Sequence, residues 1–213
     1  MFLIGTRGTW VRPPGPVAEG LRIGLLGGSF NPAHEGHLHA SELALKQLQL
    51  DFVWWLVSPQ NPLKNSNDMA SFETRLRLAR AFARHPRLVV TGIEDQFGTR
   101  FTVDTLRVLK RRFPHIHFVW LMGSDNLLQL PRWRNWQEIF ALVPVAVIAR
   151  PASALAALSS KAAARFRPAY VPPSGHVSVM HPPAWTVLDA KRNASSATAL
   201  RASSALAKTA RLW

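Results

Sequence analysis

Residues 22–39 read RIGLLGGSFNPAHEGHLH, and three local signals follow one another along them. The apolar run from Arg22 to Leu26 has the length and composition of a buried strand. Gly27 and Gly28 follow, then the turn-forming tetrapeptide Ser29-Phe30-Asn31-Pro32. From Gly36 to Leu48 apolar residues recur at helical spacing. A strand, a glycine-rich turn and a helix N-terminus make an anion cradle. Glycine lets the backbone approach an anion closely, and the helix start offers N–H groups and the positive end of its dipole. His34 and His37, three residues apart, lie on one face if the helix has begun by His34, and can then donate to the same anion. A zinc site of the HExxH kind is excluded by spacing, because position 38 is Leu. The plainer alternative, a glycine turn carrying two surface histidines, leaves the rest of the pattern unused.

The whole chain of 213 residues is 47% hydrophobic and 18% charged, enough for one α/β domain with a substantial core. It has no cysteine, so disulfides and thiolate metal or redox sites are excluded. No apolar run reaches the roughly 18 residues of a membrane span, and the apolar patch at the N-terminus is too short for a secretory signal. A cytoplasmic location is the resulting expectation, with no membrane partner. Residues 1–20 read as a disordered leader, and 21–213 as the domain. The formal charge is +14, from 26 Lys and Arg against 12 Asp and Glu, which favours anionic partners. The basic residues are spread over the chain rather than gathered into a stripe with aromatics, which argues for phosphate-bearing substrates over nucleic acid.

Strand-like and helix-like segments alternate. Strands are expected at 21–26, 52–57, 88–93, 116–122, 145–149 and 185–188. Helices are expected at 36–48, 71–85 with Ser71 as N-cap, 103–113, 133–142, 151–165 and 195–208. The rhythm implies a parallel sheet with helices on both faces, and ligands bound at the C-terminal ends of its strands.

Gly27-Gly28-Ser29-Phe30-Asn31-Pro32-x-His34-x-Gly36-His37 resembles the [ST]-F-[DN]-P-x-H-x-G-H signature of the HIGH-type nucleotidyltransferases, Rossmann-like enzymes that transfer a nucleotidyl group. Further segments narrow the resemblance. Ser58-Pro59-Gln60-Asn61-Pro62-Leu63-Lys64 follows the second strand. Arg100-Phe101-Thr102-Val103-Asp104-Thr105-Leu106 opens a helix. Gly123-Ser124-Asp125 follows a later strand, with Pro131-x-Trp133 beyond it. Ser196-Ala197-Thr198-Ala199-Leu200-Arg201 lies near the end. In this order they are similar to the bacterial nicotinate-mononucleotide adenylyltransferases, over about residues 21–205.

The resemblance implies a reaction and a set of roles. ATP and nicotinate mononucleotide would give nicotinate adenine dinucleotide and pyrophosphate. His37 would stabilise the α- and β-phosphates in the transition state, and His34 would help seat the triphosphate. Gly28, Ser29 and Phe30 would line the ATP site. Gly123 and Asp125 would meet its ribose. Ser196, Thr198 and Arg201 would form a second anion site for the β- and γ-phosphates. Asn31, Lys64, Thr102 and Trp133 would bind the mononucleotide, Trp133 by stacking on the pyridine ring. Arg75 and Asp104 match the family pattern and could equally form an ion pair with each other. Mg²⁺ would come with ATP, held by substrate and water rather than by a protein cage. A homo-oligomer is compatible with this reading. The alternatives are a related adenylyltransferase acting on nicotinamide mononucleotide or phosphopantetheine, and a basic nucleic-acid binder on the same fold.

Overall fold

Six predominantly apolar runs pair side by side in the computed structural model, which describes residues 3–4, 10–59, 69–150 and 153–189. Besides a two-stranded antiparallel pair, β1 (Leu3–Ile4) with β2 (Trp10–Val11), the chain forms one sheet from β3 (Arg22–Gly28), β4 (Phe52–Val57), β5 (Leu88–Thr91), β6 (His117–Gly123), β7 (Val145–Ile148) and β8 (Trp185–Leu188). The order across the sheet is β5-β4-β3-β6-β7-β8, and every pairing is parallel. β3 is central: Ile23 lies opposite Phe52 on one side and Phe118 on the other.

Parallel strands need helical crossovers, which cover both faces and leave the strands apolar on each side. Two core clusters result. On one face α1 (Glu35–Gln47) and α2 (Phe72–Phe82) pack around Trp55, Val53 and Leu121. On the other, α3 (Ile93–Phe97), α4 (Thr102–Arg112), α5 (Ser124–Gln129) and α6 (Trp136–Leu142) pack around Trp54, Phe118 and Trp120. Two short helices, α7 (Ala154–Leu158) and α8 (Lys161–Arg165), complete that layer.

Most expected elements are present with shifted ends. Ser71 caps α2, its hydroxyl accepting from the Thr74 N–H at 3.2 Å. The strand expected at 88–93 stops at Thr91, because Gly92 turns the chain into α3. The single helix expected over 151–165 is two, broken at Ser159-Ser160, where the Ser160 hydroxyl caps α8. The helix expected at 195–208 lies outside the described residues.

The leader departs from expectation. Residues 12–20 lie against the domain instead of being disordered. A Cβ on Gly15 would come within 2.9 Å of the Val89 side chain and 3.5 Å of Trp54 Nε1. Val17 packs on the core, and the Gly20 N–H donates to the His115 carbonyl at 2.9 Å. The physical reason is that Pro13, Pro14 and Pro16 preset their φ angles, so little entropy is lost on docking.

Candidate active site

From β3 the chain steps outward through β4 to β5, then returns to the far side of β3 as β6. The switch point of the sheet therefore lies between the C-terminal ends of β3 and β6, where open α/β sheets bind ligands. Gly27 and Gly28 sit inside β3 rather than in the turn after it, since the strand runs to Gly28. Gly27 is fixed by packing: a Cβ there would lie 2.5 Å from the Trp120 ring. The turn starts at Ser29, and Phe30 adopts a left-handed φ of 45°. That backbone costs a bulky residue on the order of 1–3 kcal/mol. It drives the ring inward, 1% exposed, to stack on Trp55 at 5.1 Å and against His37 at 4.6 Å.

His34 is the N-cap of α1, and His37 is the third helical residue. The Gly36 N–H donates to His34 Nδ1 at 3.1 Å, and the His34 N–H donates to His37 Nδ1 at 3.2 Å. The two imidazoles thus form a reciprocal capping box. A neutral imidazole that accepts at Nδ1 carries its hydrogen on Nε2. Each ring is therefore fixed as an Nε2–H donor beside a positive helix end. Their centroids are 3.9 Å apart, close enough that two charged rings would repel. His34 is only 3% exposed, and burial first, then the positive charge of Arg150, pulls its pKa down to about 4. His37 is half-exposed and is the ring more open to a ligand. Behind it, Trp55 Nε1 donates to Ser41 Oγ at 2.8 Å, and Ser41 Oγ donates to the His37 carbonyl at 2.8 Å.

Across the switch point, Asp125 lies in the first turn of α5. The N-cap of α5 is Gly123, so Asp125 is not the capping residue. A Cβ on Gly123 would lie 2.3 Å from Asp125 Oδ1, so only glycine lets the carboxylate lean back over the strand end. Among the described residues Asp125 Oδ1 is buried and accepts no hydrogen bond, and Arg150 Nη1 lies 3.4 Å from it. Arg150 follows β7, and its N–H donates to Ser124 Oγ at 3.0 Å, which joins the exits of β6 and β7. Arg150 belongs to no motif in the sequence. Its signal was position alone, a cation immediately after a parallel strand, on the ligand edge.

Asn31 Oδ1 accepts from the Ala70 N–H at 3.2 Å, which ties the turn to the start of α2. Thr102 is the first residue of α4, and it is not a cap: Phe101 holds the N-cap position without a side-chain bond. Trp133 stands edge-on to Trp120 at 6.5 Å and is half-exposed. Arg75 and Asp104 do not pair. Asp104 is held by Arg107 at 2.6 Å and Arg134 at 3.8 Å, whereas among the described residues Arg75 bonds to carbonyls. Lys64, Ser196, Thr198 and Arg201 lie outside the described residues.

The sequence profile of the cytidylyltransferase-like family matches residues 25–203, which spans both strand exits of the switch point. The chain is 52% identical over 187 residues to a probable nicotinate-nucleotide adenylyltransferase of Parvibaculum lavamentivorans, covering 87% of this chain and 93% of that protein. It is also 52% identical over 183 residues to the protein of the same name in Methylorubrum extorquens, covering 85% and 99%. The chain belongs to the nicotinate-nucleotide adenylyltransferase family. The fold agrees with that of the Plasmodium falciparum nicotinic acid mononucleotide adenylyltransferase complexed with NaAD, at a TM-score of 0.63 and 14% identity over 85% of this chain and 82% of that one. Among nicotinate-nucleotide adenylyltransferases this chain can thus be described by its own site: two Nε2–H donors on one side of the crevice, and an Asp–Arg pair on the other. No described helix is long and apolar enough to cross a membrane.

Proposed function

We propose that this chain transfers the adenylyl group of ATP to nicotinate mononucleotide, forming nicotinate adenine dinucleotide and pyrophosphate. The observation that carries the reading, beside family membership, is the histidine capping box at the switch point. It presents neutral Nε2–H donors at a helix N-terminus, the preorganised environment that a charged phosphoryl transition state needs.

An oxygen of the mononucleotide's 5′-phosphate is already anionic near neutral pH, so the attack requires no general base. It forms a bond to the α-phosphorus of ATP as the bond from that phosphorus to the β-bridging oxygen breaks, and the electron pair leaves with pyrophosphate. The protein's task is to align two polyanions and receive charge. His37 donates to the α- and β-phosphates. His34, buried beside it, holds the cap and seats the triphosphate against Gly28 and the N–H groups of Ser29 and Phe30. Asp125, with an oxygen awaiting a donor, accepts from the ribose hydroxyls beside Gly123. Arg150 adds a cation next to His34. Asn31, Lys64, Thr102 and Trp133 receive the mononucleotide, and Ser196, Thr198 and Arg201 the distal phosphates of ATP.

Among the described residues no group of three or more His, Cys, Asp or Glu is placed to hold a metal ion. Mg²⁺ accompanying ATP would take its ligands from triphosphate oxygens and water, as that ion prefers. The test is pyrophosphate release from ATP in the presence of nicotinate mononucleotide, nicotinamide mononucleotide or phosphopantetheine. Turnover with the first identifies the substrate, and turnover with only another would reassign it.

A further inference from the structure

Arg75, in α2, is 1% exposed, yet it has no carboxylate within ion-pair distance among the described residues. To the described residues its guanidinium makes four hydrogen bonds, all to backbone carbonyls: Nε to Ala70 at 2.9 Å, Nη1 to Ser29 at 2.6 Å and Ser58 at 2.8 Å, and Nη2 to Pro59 at 2.9 Å. Burying a cation is expensive unless its donors are satisfied, and here the carbonyls take that part. Burial lowers its pKa and Glu73 partly restores it, and a guanidinium stays charged throughout.

The four carbonyls belong to three segments. Ser29 opens the phosphate turn after β3, Ser58 and Pro59 leave β4, and Ala70 precedes α2. Arg75 therefore ties the turn to the chain on both sides of residues 60–68. The Asn31–Ala70 bond reinforces the same junction from the other partner. Only a planar fork reaches several carbonyls in fixed directions. A lysine would bring the charge without the geometry.

We propose that Arg75 is a positioning residue for adenylyl transfer, whose buried guanidinium locks the Ser29 turn to the exit of β4 and sets a positive charge beneath it. The proposal rests on the functional reading above. It separates two contributions. The fork sets the alignment of the turn, and so acts on kcat. The charge adds to the pull on a polyanion, and so acts on its affinity.

The test compares wild type, Arg75→Lys and Arg75→Met, each checked for folding by circular dichroism. The readouts are kcat, KM for each substrate, and the Kd of inorganic tripolyphosphate by calorimetry. Arg75→Lys should lose at least about fivefold in kcat while keeping its tripolyphosphate Kd within about threefold of wild type. Arg75→Met should lose kcat similarly and also weaken tripolyphosphate by about tenfold or more. A folded Arg75→Lys with a smaller kcat loss overturns the positioning role. A folded Arg75→Met that binds tripolyphosphate like wild type overturns the charge. Where Arg75→Met does not fold, Arg75→Lys decides alone by the same kcat threshold. Wild type forming no dinucleotide would fail the functional reading, whereas an active wild type with unaffected variants fails only Arg75.

Discussion

The Nδ1 atom of His37 accepts the backbone N–H of His34 at 3.2 Å, so the ring that faces the crevice is oriented by the residue that caps its own helix. Site and cap are one structure here. His37→Ala should therefore lower kcat by about 10²–10³, the usual effect of deleting a preorganised transition-state donor. Stability should fall by only about 1 kcal/mol, the value of one capping interaction. Steady-state kinetics with a thermal melt checks both. A folded variant within threefold of wild-type kcat would remove His37 from the chemistry.

His34 should remain neutral through the physiological range. Its pKa in the folded protein is lowered to about 4 by burial and by Arg150, against an ordinary 6.5. A depressed histidine leaves the unfolded chain binding more protons below pH 6.5. Its contribution to stability is thus intact above that value and is lost as pH falls from 6.5 through about 4. An NMR titration of the His34 ring should show no transition near 6.5, and Arg150→Ala should move its midpoint upward. A His34 midpoint at or above 6.5 in wild type would contradict the environment described.

Glu94 should make stability fall as pH rises. Its carboxyl is buried behind the start of α4, accepting from Thr105 Oγ1 at 3.1 Å, and burial pushes its pKa up to about 7, with the Thr105 bond opposing. With a folded pKa above the unfolded 4.5, its favourable contribution is complete below 4.5 and is lost as pH rises through about 7. Glu94→Gln should flatten that loss, on the order of 3 kcal/mol, in melts across this window. An unchanged slope would show that another group is responsible.

Removing residues 1–19 should lower the melting temperature while leaving kcat unaffected, because Gly15 and Val17 cover Val89 and the core edge, away from the switch point. Loss of a partly buried valine alone is worth about 1–2 kcal/mol. Differential scanning calorimetry of the truncated chain reads it, and an identical melt would mean that the arm contributes nothing.

What was legible in the sequence was what local spacing dictates. The run from Arg22 to His37 declares a strand, a turn and a helix with two imidazoles on one side, and the structure has them there. Its reach stopped where partners come from distant segments. Asp125 and Arg150 are 25 residues apart and meet only because β6 and β7 are neighbours. Arg75 looked like half of an ion pair with Asp104, but the sheet order places those residues on opposite faces, α2 on one and α4 on the other. The reciprocal bonding that fixes both histidine tautomers depends on ring directions that spacing does not specify. At the start of α4 the N-cap is the apolar Phe101, one residue before Thr102, which the presence of a threonine at a helix start does not reveal.

The most direct test of the central claim is kcat/KM for pyrophosphate release with ATP and either nicotinate or nicotinamide mononucleotide. Nicotinate carries a carboxylate, which suits a helix N-terminus such as that of α4 at Thr102. The amide would turn a donor toward donors, leaving a group unpaired at a cost of about 1–3 kcal/mol, and would forgo a charge-assisted bond. The acid should therefore exceed the amide by at least about 10²-fold, each tenfold corresponding to ~1.4 kcal/mol. Equal values for the two, or turnover with the amide alone, would contradict the account.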